Sequence, residues 1–110
     1  MKTSVRDQGI VRIVSVEGDI DLGNSGDLRK ILFDALRDSG KLALNLGAIR
    51  YIDSSGIATL IEVLRESKRV NKDLVLFAMS PAVRDVFKLT HVIKIFQVYE
   101  TEEQALGGAA

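Results

Sequence analysis

Short runs rich in Ile, Val and Leu alternate along this chain with stretches whose apolar residues recur every three to four positions. That alternation constrains the fold more than any other feature. Ile10 to Val16 reads as a strand entered through a turn near Asp7-Gln8-Gly9 and left at Glu17-Gly18. Both of its alternating faces are apolar, which predicts cover on both sides. Thr3 to Arg6 reads as a short edge strand before it. Asn24 to Ser39 reads as a helix: Leu28, Ile31, Leu32, Ala35 and Leu36 form one stripe, and Gly40 stands where a glycine ends a helix. Leu42 to Leu46 reads as a strand. Ser54 to Asn71 reads as a helix with Ile57, Leu60, Ile61 and Leu64 inward. Leu74 to Ala78 is a continuous apolar run, the pattern of a buried parallel strand. Ser80-Pro81 supplies an N-cap and a first-turn proline for a third helix, with Val83, Val86 and Phe87 inward. Ile93 to Tyr99 reads as a last strand and Thr101 to Leu106 as a short terminal helix. Strands and helices in this order give an α/β layer fold with a largely parallel sheet.

The 110 residues suit one domain, expected over 1–106, with Gly107 to Ala110 a loose tail. Composition then excludes chemistry. The chain has no cysteine, so thiolate zinc sites, iron–sulfur clusters and cysteine nucleophiles are out. His91 is its one histidine, which rules out a multi-histidine metal site within one chain. Fifteen basic residues balance fifteen acidic ones, whereas a duplex reader carries a basic excess, so no direct nucleic-acid binding is expected. No apolar run approaches the roughly 18–20 residues of a membrane span, and Met1 to Ile10 has no apolar signal core. The expectation is a cytoplasmic protein, monomeric when free, without cofactor or metal.

Open α/β sheets present function at the carboxyl ends of their strands. Two polar clusters fall there: Gly18-Asp19-Ile20-Asp21-Leu22, and Tyr51-Ile52-Asp53-Ser54-Ser55-Gly56-Ile57. Asp and Ser at a helix start satisfy the unpaired backbone N–H groups of the first turn, and capping alone would account for Asp53-Ser54-Ser55. A serine nucleophile lacks partners here: there is no G-x-S-x-G elbow and His91 has no orienting neighbour. Neither phosphate-loop fingerprint is present. A regulatory phosphoserine fits better, since its phosphate would face free N–H groups and the positive end of the helix dipole. Asp19 and Asp21 read as turn or cap residues; as a carboxylate pair they lack the further oxygen ligands a divalent metal needs.

On these residues the chain resembles the STAS-domain anti-sigma factor antagonists of bacteria. The resemblance runs from about Val11 to Leu106. It is carried by Val16-Glu17-Gly18-Asp19-Ile20-Asp21, by Leu44-Asn45-Leu46, and by Asp53-Ser54-Ser55-Gly56-Ile57. Ala78-Met79-Ser80-Pro81-Ala82-Val83 and Ile93-Lys94-Ile95-Phe96 complete it. It implies a small mixed, mostly parallel sheet of four to five strands, with about four helices packed mainly on one face. It implies a binding module, not an enzyme. The unphosphorylated form would bind an anti-sigma factor serine kinase and free a sigma factor. Phosphorylation on Ser54 would end that binding, and a serine phosphatase would restore it. Asp19, Asp21, Leu22, Asp53, Ser55, Gly56 and Ile57 map to the partner-binding surface. Ala58, Leu22 and Gly23 depart from the family pattern, which leaves open which anti-sigma factor is recognised. The alternative within the resemblance is a free STAS subunit of a lipid-transport ABC complex.

Overall fold

The computed structural model describes residues 1–107. Five strands form one sheet in the order β1-β2-β3-β4-β5. They are β1 (Lys2–Gln8), β2 (Val11–Ile20), β3 (Lys41–Ile52), β4 (Asp73–Phe77) and β5 (Gln97–Tyr99). The helices are α1 (Ser25–Arg37), α2 (Ser54–Arg69), α3 (Pro81–Leu89) and α4 (Glu102–Ala105). A 3-10 turn, Val92–Lys94, precedes β5. β1 and β2 are an antiparallel hairpin, and every later pair is parallel. The mixed sheet follows from connection length. Gln8 pairs with Val11 across a two-residue turn whose Gly9 has φ 61°, a conformation that suits glycine. Each parallel step, by contrast, carries a helix.

Val14, Val16, Ile20, Leu42, Leu44, Leu46, Leu74 and Leu76 project toward the stripes of α1, α2 and α3, and are almost wholly buried there. Two long stripes meet well: Leu28, Leu32 and Leu36 of α1 share that core with Leu60, Val63 and Leu64 of α2. Arg29 ties the two helices at the surface, its Nε donating to Glu62 at 2.6 Å while its guanidinium lies 4.3 Å from the Phe33 ring. The opposite sheet face has its own small core of Ile13, Ala43, Val75 and Phe77, closed by Ala105 of α4. The two-sided cover expected for Ile10 to Val16 is therefore real, with three helices on one face and one on the other.

Several boundaries differ from expectation. The edge strand is longer than Thr3 to Arg6. β2 runs on through Gly18 to Ile20, and β3 runs six residues past Leu46. Their pairing shifts register between Ser15 and Glu17 and again between Gly18 and Asp19. Such bulges let a strand continue where alternation fails. Buried positions along the end of β3 are Leu46, Ile49 and Ile52, spaced by three. α1 ends at Arg37 with Asp38 as its C-cap, so Gly40 is not the residue that stops it; the Gly40 amide instead bonds the Ile10 carbonyl at 2.9 Å. Ile93 to Phe96 is not strand. His91 turns the chain left-handed at φ 61°, the 3-10 turn follows, and Phe96 packs edge-on against Phe87 with centroids 5.7 Å apart. Of the tail expected at 107–110, Gly107 closes a turn on the Gln104 carbonyl and 108–110 lie outside the described residues.

Candidate functional site

The site forms where β2 and β3 end side by side. Ile20 pairs with Ile52, and Asp19 with Tyr51, so Asp19 lies inside a strand and not in the turn expected for it. The next residue of each strand starts a polar connection. Asp53 is anchored by its own amide, which donates to the Ile20 carbonyl at 3.2 Å, and it caps α2. Its Oδ1 accepts from the Ser55 amide at 2.9 Å, from the Gly56 amide at 3.2 Å and from the Ser55 hydroxyl. The Ser55 hydroxyl is the main reason the Asp53 carboxyl is held below the usual carboxylate range; the Gly56, Ser55 and Leu22 amides add to it against partial burial. Asp53 is therefore a fixed anion.

Ser54 and Ser55 separate at this point. Ser55 is half-buried with its hydroxyl committed to Asp53. Ser54 is the first residue of α2, is exposed, and its hydroxyl has no partner among the described residues. The amides of Ser55 and Gly56 are already capped, so a phosphate on Ser54 would not find them free; this corrects the expectation that they would receive it. Gly56 is where α2 drops onto the sheet. A Cβ there would lie 2.7 Å from Ile20 Cγ2 and 2.7 Å from Ile52 Cγ1. Ile57 is 6% exposed and faces the core, so it reaches a visitor only at its edge.

The β2–α1 connection is ordered by Asn24. Its Nδ2 donates to the Asp19 carbonyl at 2.8 Å and its Oδ1 accepts from the Asp21 amide at 3.0 Å. Asp21 Oδ1 accepts from the Gly23 amide at 2.9 Å. Asp19 pairs with Arg50 at 3.5 Å across the strands. The carboxylates of Asp19 and Asp21 thus go to different partners. This tight loop leaves Leu22 outside, 80% exposed, with Tyr51 54% exposed on the neighbouring strand. The outer surface around Ser54 accordingly combines two apolar side chains with ionised carboxylates. Asn24 and Arg50 were not among the sequence candidates. An Asn before an amphipathic stripe signals a cap, but here its side chain serves the preceding strand. Arg50 becomes visible only once the register places it beside Asp19.

The STAS domain family model matches residues 2–105, nearly the whole chain. This chain belongs to the STAS domain family. Among named relatives of this STAS domain is BtrV of Bordetella bronchiseptica, named as an anti-sigma factor antagonist. It is 32% identical over 95 residues, covering 84% of this chain and 81% of its own. The anti-sigma-B factor antagonist of Staphylococcus aureus is 24% identical over 82% of this chain and 84% of its own. Among solved structures, an anti-sigma factor antagonist from Mycobacterium paratuberculosis superposes with a TM-score of 0.87 at 28% identity, covering 97% of this chain and 92% of its own. Unphosphorylated SpoIIAA shares the fold with a TM-score of 0.80 at 21% identity, over 98% and 96% of the two chains. Among the described residues, no helix is long and apolar enough to cross a membrane.

Proposed function

We propose that this STAS domain is an anti-sigma factor antagonist whose partner surface is controlled at Ser54. The observation that carries the proposal is the division of labour between adjacent serines: Asp53 engages the Ser55 hydroxyl and leaves Ser54 exposed at the start of α2. The unphosphorylated form binds an anti-sigma factor with serine kinase activity, through Leu22, Asp21, Asp19 and the Asp53-Ser54 turn. Gly56 and Ile57 shape that turn from beneath. The domain is a binding module and does no chemistry of its own; the kinase adds the phosphate and a serine phosphatase removes it. The names of BtrV and of the Staphylococcus aureus relative support this reading, as does the existence of SpoIIAA in unphosphorylated and phosphorylated forms.

The switch follows from charge. A phosphoserine adds about −1.5 to −2 charge with three acceptor oxygens. At Ser54 it stands next to the fixed anion of Asp53, whose carboxylate already occupies the nearest helix N–H groups. The phosphate therefore points outward, and a partner closing over Leu22 meets repulsion and the cost of desolvating it.

The experiment is a pair of substitutions read by titration calorimetry against the anti-sigma factor that co-purifies with the protein. Ser54→Ala should bind as wild type and take up no phosphate. Ser54→Asp should fold normally and bind at least tenfold more weakly, about 1.4 kcal/mol. Wild-type affinity in Ser54→Asp, or phosphate recovered on Ser55, would show that Ser54 is not the switch.

A further inference from the structure

The molecule carries a second exposed apolar pair, at the other end of the sheet. Leu89, the last residue of α3, is 80% exposed, and Ile95, before β5, is 49% exposed. The edge-on contact of Phe87 with Phe96 holds these two segments together. Strands β2 to β5 are parallel. Leu22 follows the carboxyl end of β2 and Tyr51 lies at that of β3, whereas Ile95 precedes the amino end of β5. The two apolar pairs thus sit at opposite poles. Their charges are opposite as well. From Val86 to Tyr99 the sequence has no acidic residue, while Lys88 and Lys94 are exposed and make no ion pair among the described residues. Around Leu22 and Tyr51 stand Asp21 and Asp53.

We infer that the basic, apolar pole around Leu89 and Ile95 docks a second copy of this chain, by its acidic, apolar pole around Leu22 and Tyr51. Both halves of the match are present on one molecule. Zero net charge leaves copies without overall repulsion at neutral pH. Two anchors and a few charge pairs make a small contact of the transient class, so it forms only at high protein concentration. A contact between two different patches is head-to-tail and does not close, so copies add stepwise. Docking covers the pole proposed above to meet the anti-sigma factor, so self-association competes with partner binding.

The test is sedimentation equilibrium on the full chain. From low micromolar to near-millimolar protein, the weight-average mass should climb above that of one chain. It should fall back in high salt, which screens exposed charge. Leu22→Lys disables one pole and the double variant Lys88→Glu, Lys94→Glu disables the other; all three sites are exposed, and circular dichroism checks the fold. Each variant alone should remain a monomer. An equimolar mixture should form a dimer and nothing longer, because each supplies the pole the other lacks. A wild type that stays monomeric, a mixture that stays monomeric, or variants that associate as wild type would overturn the inference. So would a monomer whose basic pole binds anionic phosphatidylserine vesicles instead. Ser54→Asp adds negative charge to the acidic pole and should retain self-association. The proposed switch, by contrast, predicts that it loses the anti-sigma factor, so either idea can fail without the other.

Discussion

Asp53 shows how one side chain can set the roles of its neighbours. Three donors converge on its Oδ1, two from the backbone of α2 and one from the Ser55 hydroxyl. Because hydrogen bonds to the charged form favour it, the folded carboxyl titrates below its unfolded counterpart. The stabilisation from this cap is therefore fully present above the unfolded carboxylate range. It is lost as pH falls through the lowered folded value. Ser55 supplies the largest single contribution. Ser55→Ala should therefore move the Asp53 titration, followed by carboxyl carbon NMR, upward toward the ordinary value, with the helix retained. An unmoved titration would mean that the two amides alone hold the anion. Much of this was legible in the residues: Asp-Ser-Ser before an amphipathic stripe is a capping sequence. Which serine is held and which is offered was not legible, because both can cap and only the turn of the backbone decides. The pairing of Arg50 with Asp19 was equally hidden, since it depends on a register that no local pattern carries.

At the scale of elements, the helices announced themselves and the strand ends did not. The stripes of α1 and α2 are periodic, and Ser80-Pro81 starts α3 with its hydroxyl bonding both the Val83 amide and the Ile49 carbonyl. β2 and β3 outran expectation because alternation stops before the strands do. After Val16 and Leu46 the bulges change which side chains face inward, and buried residues recur every third position instead of every second. Those extensions bring Ile20 and Ile52 to the site, where they form the floor under the first turn of α2. Gly56 rests on that floor without a side chain. Gly56→Ala gains about 0.8–1 kcal/mol of helix propensity. It also forces a methyl into two isoleucines that are 0% and 2% exposed and cannot swing aside, which costs about 1–3 kcal/mol. The clash outweighs the gain in propensity, so the urea midpoint should fall. Because the shift needed is at the cap, partner affinity should fall with it. A midpoint that rises would show that the helix end can lift from the sheet.

At the scale of the whole molecule, the two faces of the sheet make different demands. The helix-covered face holds nearly the entire core, and its order could be inferred from the alternation of patterns. The other face could not be foreseen in detail, because Ile13, Ala43, Val75 and Phe77 come from three strands and their cover comes from a four-residue helix at the far end of the chain. A helix that short has no stability of its own; it persists because Thr101 caps it at the Gln104 amide and Ala105, 1% exposed, seats on Val75 and Phe77. Glu102 also pairs with Arg6 of β1, but both side chains are exposed and such a pair contributes little. The weight of α4 is therefore apolar. Ending the chain at Glu100 should expose Phe77 and its neighbours and lower stability by about 2–4 kcal/mol, the scale of emptying a core position. Denaturant unfolding would measure the loss, and increased binding of a hydrophobic dye would locate it. Arg6→Ala in the full chain should change neither. The Ser54 turn is built from the carboxyl ends of β2 and β3 and takes no part of its structure from α4. Phosphate uptake by the truncated domain, at a temperature where it stays folded, should accordingly match that of the full chain. A truncated protein as stable as the parent would mean that the second face tolerates water. Loss of phosphorylation at full stability would mean that α4 takes part in recognition.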